Sequence, residues 1–186
     1  MKRFLSIILI SIMSLGLFGC VNTNTTTDSF SFSDLANVEF MFTSGAGAWG
    51  TVLRIDEKGN FVGEFSDAEM GAGEYYLSNF SGQFKNPVKV NDYTYSLTIS
   101  NLEYEKEVGT KEQKEDFLYI YSEAFGIANA EEILLYLPEA PHSELPEDYK
   151  SWVMYQITHD PENAEQLGFY GLYNEDTQCG FYSYEF

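Results

Sequence analysis

The chain has 186 residues, of which 29 are acidic and 10 basic, for a formal net charge of −19 at pH 7. Nucleic-acid binding and flat adhesion to anionic lipid both require clustered Lys and Arg, so this balance argues against them. Aromatic residues make up 17% of the chain and there are 5 prolines. The composition therefore favours β-strands over helices.

The N-terminus is typical of a secretory leader. Met1, Lys2 and Arg3 give a basic start, residues 4–18 are almost wholly apolar, and Gly19 precedes Cys20. An apolar run of about 15 residues is shorter than the roughly 20 that a membrane span needs. The pattern predicts a cleaved signal peptide over residues 1–19 rather than an uncleaved transmembrane anchor.

The end of the leader, Leu17-Phe18-Gly19-Cys20, resembles the lipobox of bacterial lipoproteins. That resemblance implies that the Cys20 sulfur receives a diacylglyceryl group and that Cys20 becomes the first residue after cleavage. Two or more acyl chains hold a protein stably on a bilayer. The expected location is the extracytoplasmic face of the cell membrane, with the bilayer as partner through the lipid on Cys20.

Residues 20–34 are predicted to form a flexible tether, and residues 35–186 a single β-domain. The stretch after Cys20 is rich in Thr and Ser and has few core-forming side chains. With Cys20 lipidated, Cys179 has no partner for an intramolecular disulfide. We interpret Cys179 as a small buried residue rather than a nucleophile.

Short strands recur along the domain, and most show period-2 alternation. Residues 50–55 and 61–65 form a predicted hairpin around the turn 56–60. Residues 93–99 alternate most regularly, with Tyr93, Tyr95, Leu97 and Ile99 on the inward face. Further strands are predicted at 38–42, 75–84, 117–121, 133–137, 169–173 and 180–186, with a short helix at 149–154.

This pattern contains eight or nine strands and no βαβ rhythm. It predicts an all-β fold, an antiparallel barrel of about eight or nine strands with one or two short helices. The alternative is a β-sandwich. Residues 103–116 are strongly charged and are predicted to form a solvated loop or projecting hairpin.

Two resemblances bear on this fold. The segment Ser44 to Thr51, SGAGAWGT, is similar to a motif of an uncharacterised family of bacterial exported or lipid-anchored proteins, which implies no particular activity. Gly47-Ala48-Trp49 resembles the Gly-x-Trp of lipocalin-like barrels, where the Trp closes one barrel end beneath an Arg from the last strand. The last predicted strand here contains no Arg, so this resemblance bears on architecture alone.

Motifs for catalysis or cofactor binding are absent from the sequence. His142 and His159 lie outside any HExxH pattern, and no G-x-S-x-G elbow or P-loop occurs. We therefore expect no metal site and no cofactor, and an enzyme is the third hypothesis, which would require converging titratable groups in a cleft. The acidity most simply serves solubility, and the alternative is attraction of cationic ligands.

The leading hypothesis is a monomeric, non-enzymatic barrel that binds a small or peptide ligand. Candidate ligand-binding residues are Trp49, Arg54, Tyr93 and Tyr95. Arg54 is the sole Arg of the domain, and either receives an anionic group or pairs across the hairpin with Glu64. The alternative function is an interaction or structural module of the cell envelope that acts through its surface.

Overall fold

The computed structural model describes residues 30–45, 47–69, 73–159 and 165–185. The predicted signal peptide, Cys20 and the first part of the predicted tether lie outside these ranges. Ten strands lie within them: β1 (Val38–Thr43), β2 (Trp49–Ile55), β3 (Asn60–Glu69), β4 (Glu74–Asn91), β5 (Thr94–Tyr104), β6 (Lys111–Lys114), β7 (Phe117–Tyr121), β8 (Glu132–Tyr136), β9 (Gly171–Asn174) and β10 (Cys179–Glu185).

Eight of these strands close into an antiparallel barrel, in the order β1-β2-β3-β4-β5-β8-β9-β10, with β10 pairing back to β1. Every pairing around this circle is antiparallel. The predicted all-β barrel is therefore confirmed, and the sandwich alternative is wrong. The remaining hairpin, β6–β7, lies outside the circle, where β7 runs parallel to the first residues of β4.

The interior of the barrel is filled by side chains that alternate inward along its strands. The Phe61 and Phe84 ring centroids lie 4.6 Å apart, and those of Phe42 and Phe181 lie 5.2 Å apart. Gly63 and Gly82 leave room for large rings, because a Cβ at either position would overlap Phe80 or Phe61. Fully buried members of this core are Leu35, Phe40, Phe42, Leu53, Phe84, Leu97, Ile133, Leu135, Leu172 and Phe181.

A 3-10 helix, Phe32–Leu35, covers the end of the barrel that carries the β2–β3 and β4–β5 turns, which we call the lower end. Its capping box is complete: Ser31 Oγ accepts from the Ser33 amide, and Asp34 accepts from the Ser31 amide at 2.8 Å. Leu35 is fully buried in the barrel core. This helix lies mostly within the stretch assigned to the tether from sequence.

At the opposite, upper end, residues 122–130 cross the mouth of the barrel; we call them the plug segment. Thr51 Oγ1 donates to the Phe125 carbonyl at 2.6 Å. Asn174 Nδ2 donates to the Gly126 and Ala128 carbonyls at 3.1 and 3.4 Å. Thr51 and Asn174 are fully buried. The two polar side chains thus satisfy the backbone of a segment that has no ladder partner of its own.

The helix α1 (Glu147–His159) packs on the outer face of β9 and β10. It follows Pro146 and carries Glu147 and Asp148 in its first turn, where carboxylates favour helix initiation. Tyr149 and Val153, one turn apart, are fully buried. α1 confirms the helix predicted at 149–154. Within the described ranges, none of the helices has the length and apolar character needed to cross a membrane.

Candidate binding groove at the barrel rim

A groove lies at the upper end of the barrel, between the plug segment and the β6–β7 hairpin. Its volume is about 660 Å³. We call it the rim groove. Its lining residues come from β3 and β4 (Phe65, Asp67, Tyr76), from the β5–β6 loop (Val108, Gly109), from β7 (Ile120, Tyr121), from the plug segment (Ser122–Gly126, Ala128, Asn129) and from the β9–β10 turn (Thr177).

Phe125 is the principal aromatic residue of the inner wall. Its ring centroid lies 5.3 Å from that of Phe42, 5.3 Å from that of Trp49 and 5.5 Å from that of Phe65. These contacts fix the ring, yet 45% of the residue remains exposed. An aromatic surface that is held in place and open to solvent suits a binding site, because little side-chain entropy is lost on contact.

Tyr121, in the outer wall of the groove, is positioned by a cluster of charged side chains, Lys106, Glu112 and Lys114. The Tyr121 hydroxyl donates to Glu112 Oε2 at 3.1 Å, and Lys106 Nζ lies 2.8 Å from Glu112 Oε1 and 5.6 Å from the Tyr121 ring centroid. Hydrogen bonds from Lys106 and Lys114 lower the pKa of Glu112 to about 2. Glu112 therefore stays ionised at neutral pH and orients Tyr121 along the groove.

The charge of the groove is negative. Asp67 and Glu123 contribute carboxylates, and Asn129 Nδ2 donates to Glu123 Oε2 at 3.1 Å. No Lys or Arg occurs among the described residues that line it. Anionic ligands would be repelled, so the groove suits a neutral or cationic ligand with an apolar portion.

Two features of the described residues bear on metal and thiol chemistry near the groove. In the part of the chain that the structure describes, no three His, Cys, Asp or Glu side chains meet in a way that would hold a metal ion. Cys179 points into the barrel core, where burial raises the pKa of its thiol and disfavours the thiolate needed for nucleophilic attack.

The four candidate residues from sequence do not meet at one site. Trp49 lies at the upper end and packs against Phe42, Phe125 and Trp152, next to the rim groove but outside its lining. Tyr95 lies near the lower end, 5% exposed, and its hydroxyl accepts from the Phe30 amide at 3.3 Å. Tyr93 lies in the β4–β5 turn and packs against the cluster beneath α1.

Arg54 lies on the outer wall of the barrel, with its side chain half exposed. Its register partner on β1 is Glu39, and the two form an ion pair. Tyr184 donates to the other oxygen of the same carboxylate, which contributes to raising the pKa of Tyr184 to about 12 after the larger effect of burial. Glu39 on one neighbouring strand is thus one partner of Arg54, and Glu64 lies opposite Val52 on the other neighbouring strand.

Sequence reasoning did not identify the aromatic residues of the groove, which are Phe65, Tyr76, Tyr121 and Phe125, as parts of a site. The plug segment shows neither the period of a strand nor that of a helix, so hydrophobic periodicity does not reveal it. One signal was present: Phe125 is the only aromatic residue in the segment SEAFGIANA. A large ring in such a loop is typical of a residue that covers a core.

Comparison of the chain with protein-family models, with curated proteins and with solved structures gives no match. The resemblances to exported lipoproteins and to lipocalins therefore stay predictions from their motifs. The groove is assigned from its geometry and charge alone.

Proposed function

We propose that this protein is a ligand-binding barrel, anchored by a lipid on Cys20 to the extracytoplasmic face of the cell membrane, and that its ligand binds in the rim groove. The observation that carries the proposal is the groove itself. Its volume of about 660 Å³ lies within the range of small-molecule sites. Its apolar walls and few polar groups match the usual composition of such sites.

The filled interior directs the ligand to the rim. Phe42 and Phe181 are fully buried and both lie against Gly126 of the plug segment, where an added Cβ would overlap them. A ligand inside the barrel would have to displace this packed core. A ligand at the rim meets Phe125 already in place. We therefore assign the site to the rim and the ligand class to neutral or cationic molecules, small compounds or peptides, with an apolar part.

A neutral naphthylamine dye, whose fluorescence rises in apolar surroundings, tests this assignment. Ser122→Trp places an indole in the rim groove and should weaken dye binding at least about tenfold, which is about 1.4 kcal/mol. The matched control is Ser151→Trp, which fills a groove of about 600 Å³ between α1 and the end of β1. The control should bind the dye as the wild type does.

Two outcomes would count against the proposal. Loss of dye binding in Ser151→Trp but not in Ser122→Trp would move the site to α1. Absence of dye binding in the folded wild type would favour the alternative function, an envelope interaction module that uses its surface. The outer side of α1 offers such a surface, because Met154 and Tyr155 are 58% and 67% exposed.

The anchor is tested separately by labelling cells with a radioactive fatty acid. We expect label on the wild-type protein and none on Cys20→Ala. Cys179→Ala is the matched control, because it removes the chain's other cysteine, which is buried in the barrel. Label that survives Cys20→Ala would refute the lipid anchor and leave the rim-groove assignment standing.

A further inference from the structure

Part of β4 extends beyond the end of its neighbour β3 at the lower end of the barrel. The pairing of β3 with β4 ends at Asn60 and Gln83, whereas β4 continues to Asn91. Residues 85–91 are therefore paired with β5 alone among the described strands, and all seven are exposed. We call residues 85–91 the projecting segment.

The composition of the projecting segment differs from that of the chain as a whole. Val88 and Val90 are each 58% exposed, among the most exposed large apolar residues that the structure shows. The sequence KNPVKVN contains two lysines and no acid, in a chain of net charge −19. Lys89 forms an ion pair of 2.9 Å with Asp92 in the adjoining turn. The segment thus combines two exposed valines with a small excess of positive charge.

The chain enters the barrel beside this segment. The Phe30 amide donates to the Tyr95 hydroxyl at 3.3 Å, and the two ring centroids lie 5.2 Å apart. Tyr95 is the register partner of Lys89, which stands between the two valines. Cys20 precedes Phe30 by ten residues, which span at most about 35 Å when extended. A lipid on Cys20 would hold this end of the barrel near the bilayer.

We propose that the projecting segment contacts the membrane surface, with Val88 and Val90 among the lipid headgroups and the lysines beside the phosphates. This inference rests on the proposed anchor at Cys20. The backbone edge of the segment is unpaired within the described residues, so its N–H and C=O groups need water or headgroup partners, and contact stays at the interface rather than in the hydrocarbon core. The rim groove, at the opposite end, then faces away from the membrane.

A second copy of the chain is the other occupant that an open strand edge suggests. Pro87 has no N–H to donate to an added strand, and Asn86 has a φ of 51°, which breaks the extended run. Exposed lysines also oppose edge-to-edge pairing. These features disfavour strand addition and leave a lipid surface as the partner that fits.

The experiment uses the full chain, purified from membranes and reconstituted in phosphatidylcholine vesicles. Some acyl chains of these vesicles carry doxyl groups, which quench a nearby fluorophore. A fluorophore is attached at Asn91→Cys, and a reference probe at Glu175→Cys in the upper-end turn. Cys179 is 4% exposed, so the introduced thiol is the one that reacts. We expect strong quenching at position 91 and none at position 175. Val88→Asp with Val90→Asp should abolish the quenching, whereas Val62→Asp, at an equally exposed valine of the barrel wall, should not.

The mass of the purified protein shows whether Cys20 carries a lipid, and so distinguishes failure of the anchor from failure of the membrane contact. A lipidated protein whose probe at position 91 is not quenched overturns this inference and leaves the anchor standing. A protein without lipid on Cys20 overturns the anchor and, with it, the orientation. A dimer in solution that Val88→Asp dissociates would assign the projecting segment to a second copy and also overturn the inference.

Discussion

Thr51 Oγ1 donates a hydrogen bond of 2.6 Å to the carbonyl oxygen of Phe125, which lies 74 residues later in the chain. Thr51 is a fully buried residue of β2, and Phe125 forms the inner wall of the rim groove. An inward-facing polar residue of the barrel therefore positions the aromatic ring that the proposed ligand would meet. The groove depends on the barrel through this contact and through those of Asn174.

Thr51→Val tests the contact without changing the side-chain volume. The Phe125 carbonyl would lose its buried donor, and we expect a loss of about 1–2 kcal/mol in the free energy of unfolding. Urea denaturation measures it, and hydrogen exchange should speed up in residues 122–130. Thr98→Val, on the outward face of β5, is the control and should change stability by less than about 0.5 kcal/mol. Equal effects of the two changes would contradict the role assigned to Thr51.

Asn174→Asp should be more harmful at pH 7 than at pH 4. Its carboxylate would face the Gly126 and Ala128 carbonyls, which now accept from the Asn174 amide. Burial and the two facing carbonyls raise the pKa of the new Asp in the folded state, an effect that is reduced by the Asp176 and Thr177 amides, which donate to its other oxygen. Its contribution to stability is then present below its unfolded pKa of about 4 and is lost as pH rises through the folded value.

The expected loss for Asn174→Asp at pH 7 is about 2–4 kcal/mol, measured by urea denaturation at both pH values. Asn91→Asp is the control, because its exposed oxygen accepts from the Tyr93 amide at 3.0 Å and an ionised Asp keeps that bond. A pH-independent loss for Asn174→Asp would show that position 174 does not hold the plug carbonyls as described.

Gly126→Ala and Gly109→Ala separate backbone strain from packing. Both glycines have a positive φ, 92° and 89°. A Cβ at Gly126 would lie 2.7 Å from a Phe42 ring carbon, whereas a Cβ at Gly109 meets nothing within 4 Å. We expect a loss of about 1 kcal/mol for Gly109→Ala and about 1–3 kcal/mol more for Gly126→Ala, by urea denaturation. Similar losses would contradict close packing of the plug segment on the core.

Local alternation is what made much of the barrel predictable. Thr51, Leu53 and Ile55 share one face of β2 and are buried together, because period 2 is a property of the strand itself. The hairpin 50–65 was predictable for the same reason, and the helix near Tyr149 from the proline and the acidic residues at its start. The sequence predicts a barrel but not which strands close it. β1 and β10 are far apart in the chain, and their pairing leaves no local signal.

Where the prediction differs from the structure, the burial of a side chain is set by the elements that pack around it. Tyr93 is in phase with Tyr95, but the β4–β5 turn takes Tyr93 to the outer cluster. Residues 117–121 read as a strand buried on both faces, yet Phe117 is 41% exposed. Phe117 lies on β7, outside the barrel, and its ring packs beside that of Tyr75 on β4, with 5.1 Å between the ring centroids. Such a place in the fold cannot be read from hydrophobicity alone.

Tyr149→Phe should alter stability in alkaline solution. The Tyr149 hydroxyl donates to the Phe181 carbonyl at 3.1 Å, and burial, with a smaller effect of Tyr136, raises the pKa of Tyr149 well above its ordinary value. A raised folded-state pKa means that its contribution is fully present below pH 10 and is lost as pH rises above the unfolded pKa.

We expect Tyr149→Phe to cost about 1 kcal/mol at pH 8 and the deficit to shrink above pH 10, as followed by thermal unfolding from pH 8 to 12. Tyr155→Phe is the matched control, because Tyr155 is 67% exposed. A deficit that stays constant across this range would show that the hydroxyl of Tyr149 is not buried in the folded protein.

The central claim is that a ligand binds between the plug segment and the β6–β7 hairpin. The most direct measurement is an amide chemical-shift map of the isotope-labelled protein during titration with the naphthylamine dye. The account predicts that the largest shifts fall on Val108, Gly109, Glu123, Phe125 and Asn129, which line the rim groove. Largest shifts on Leu53, Leu97 and Leu172, inside the barrel, or on the residues of α1 would contradict it.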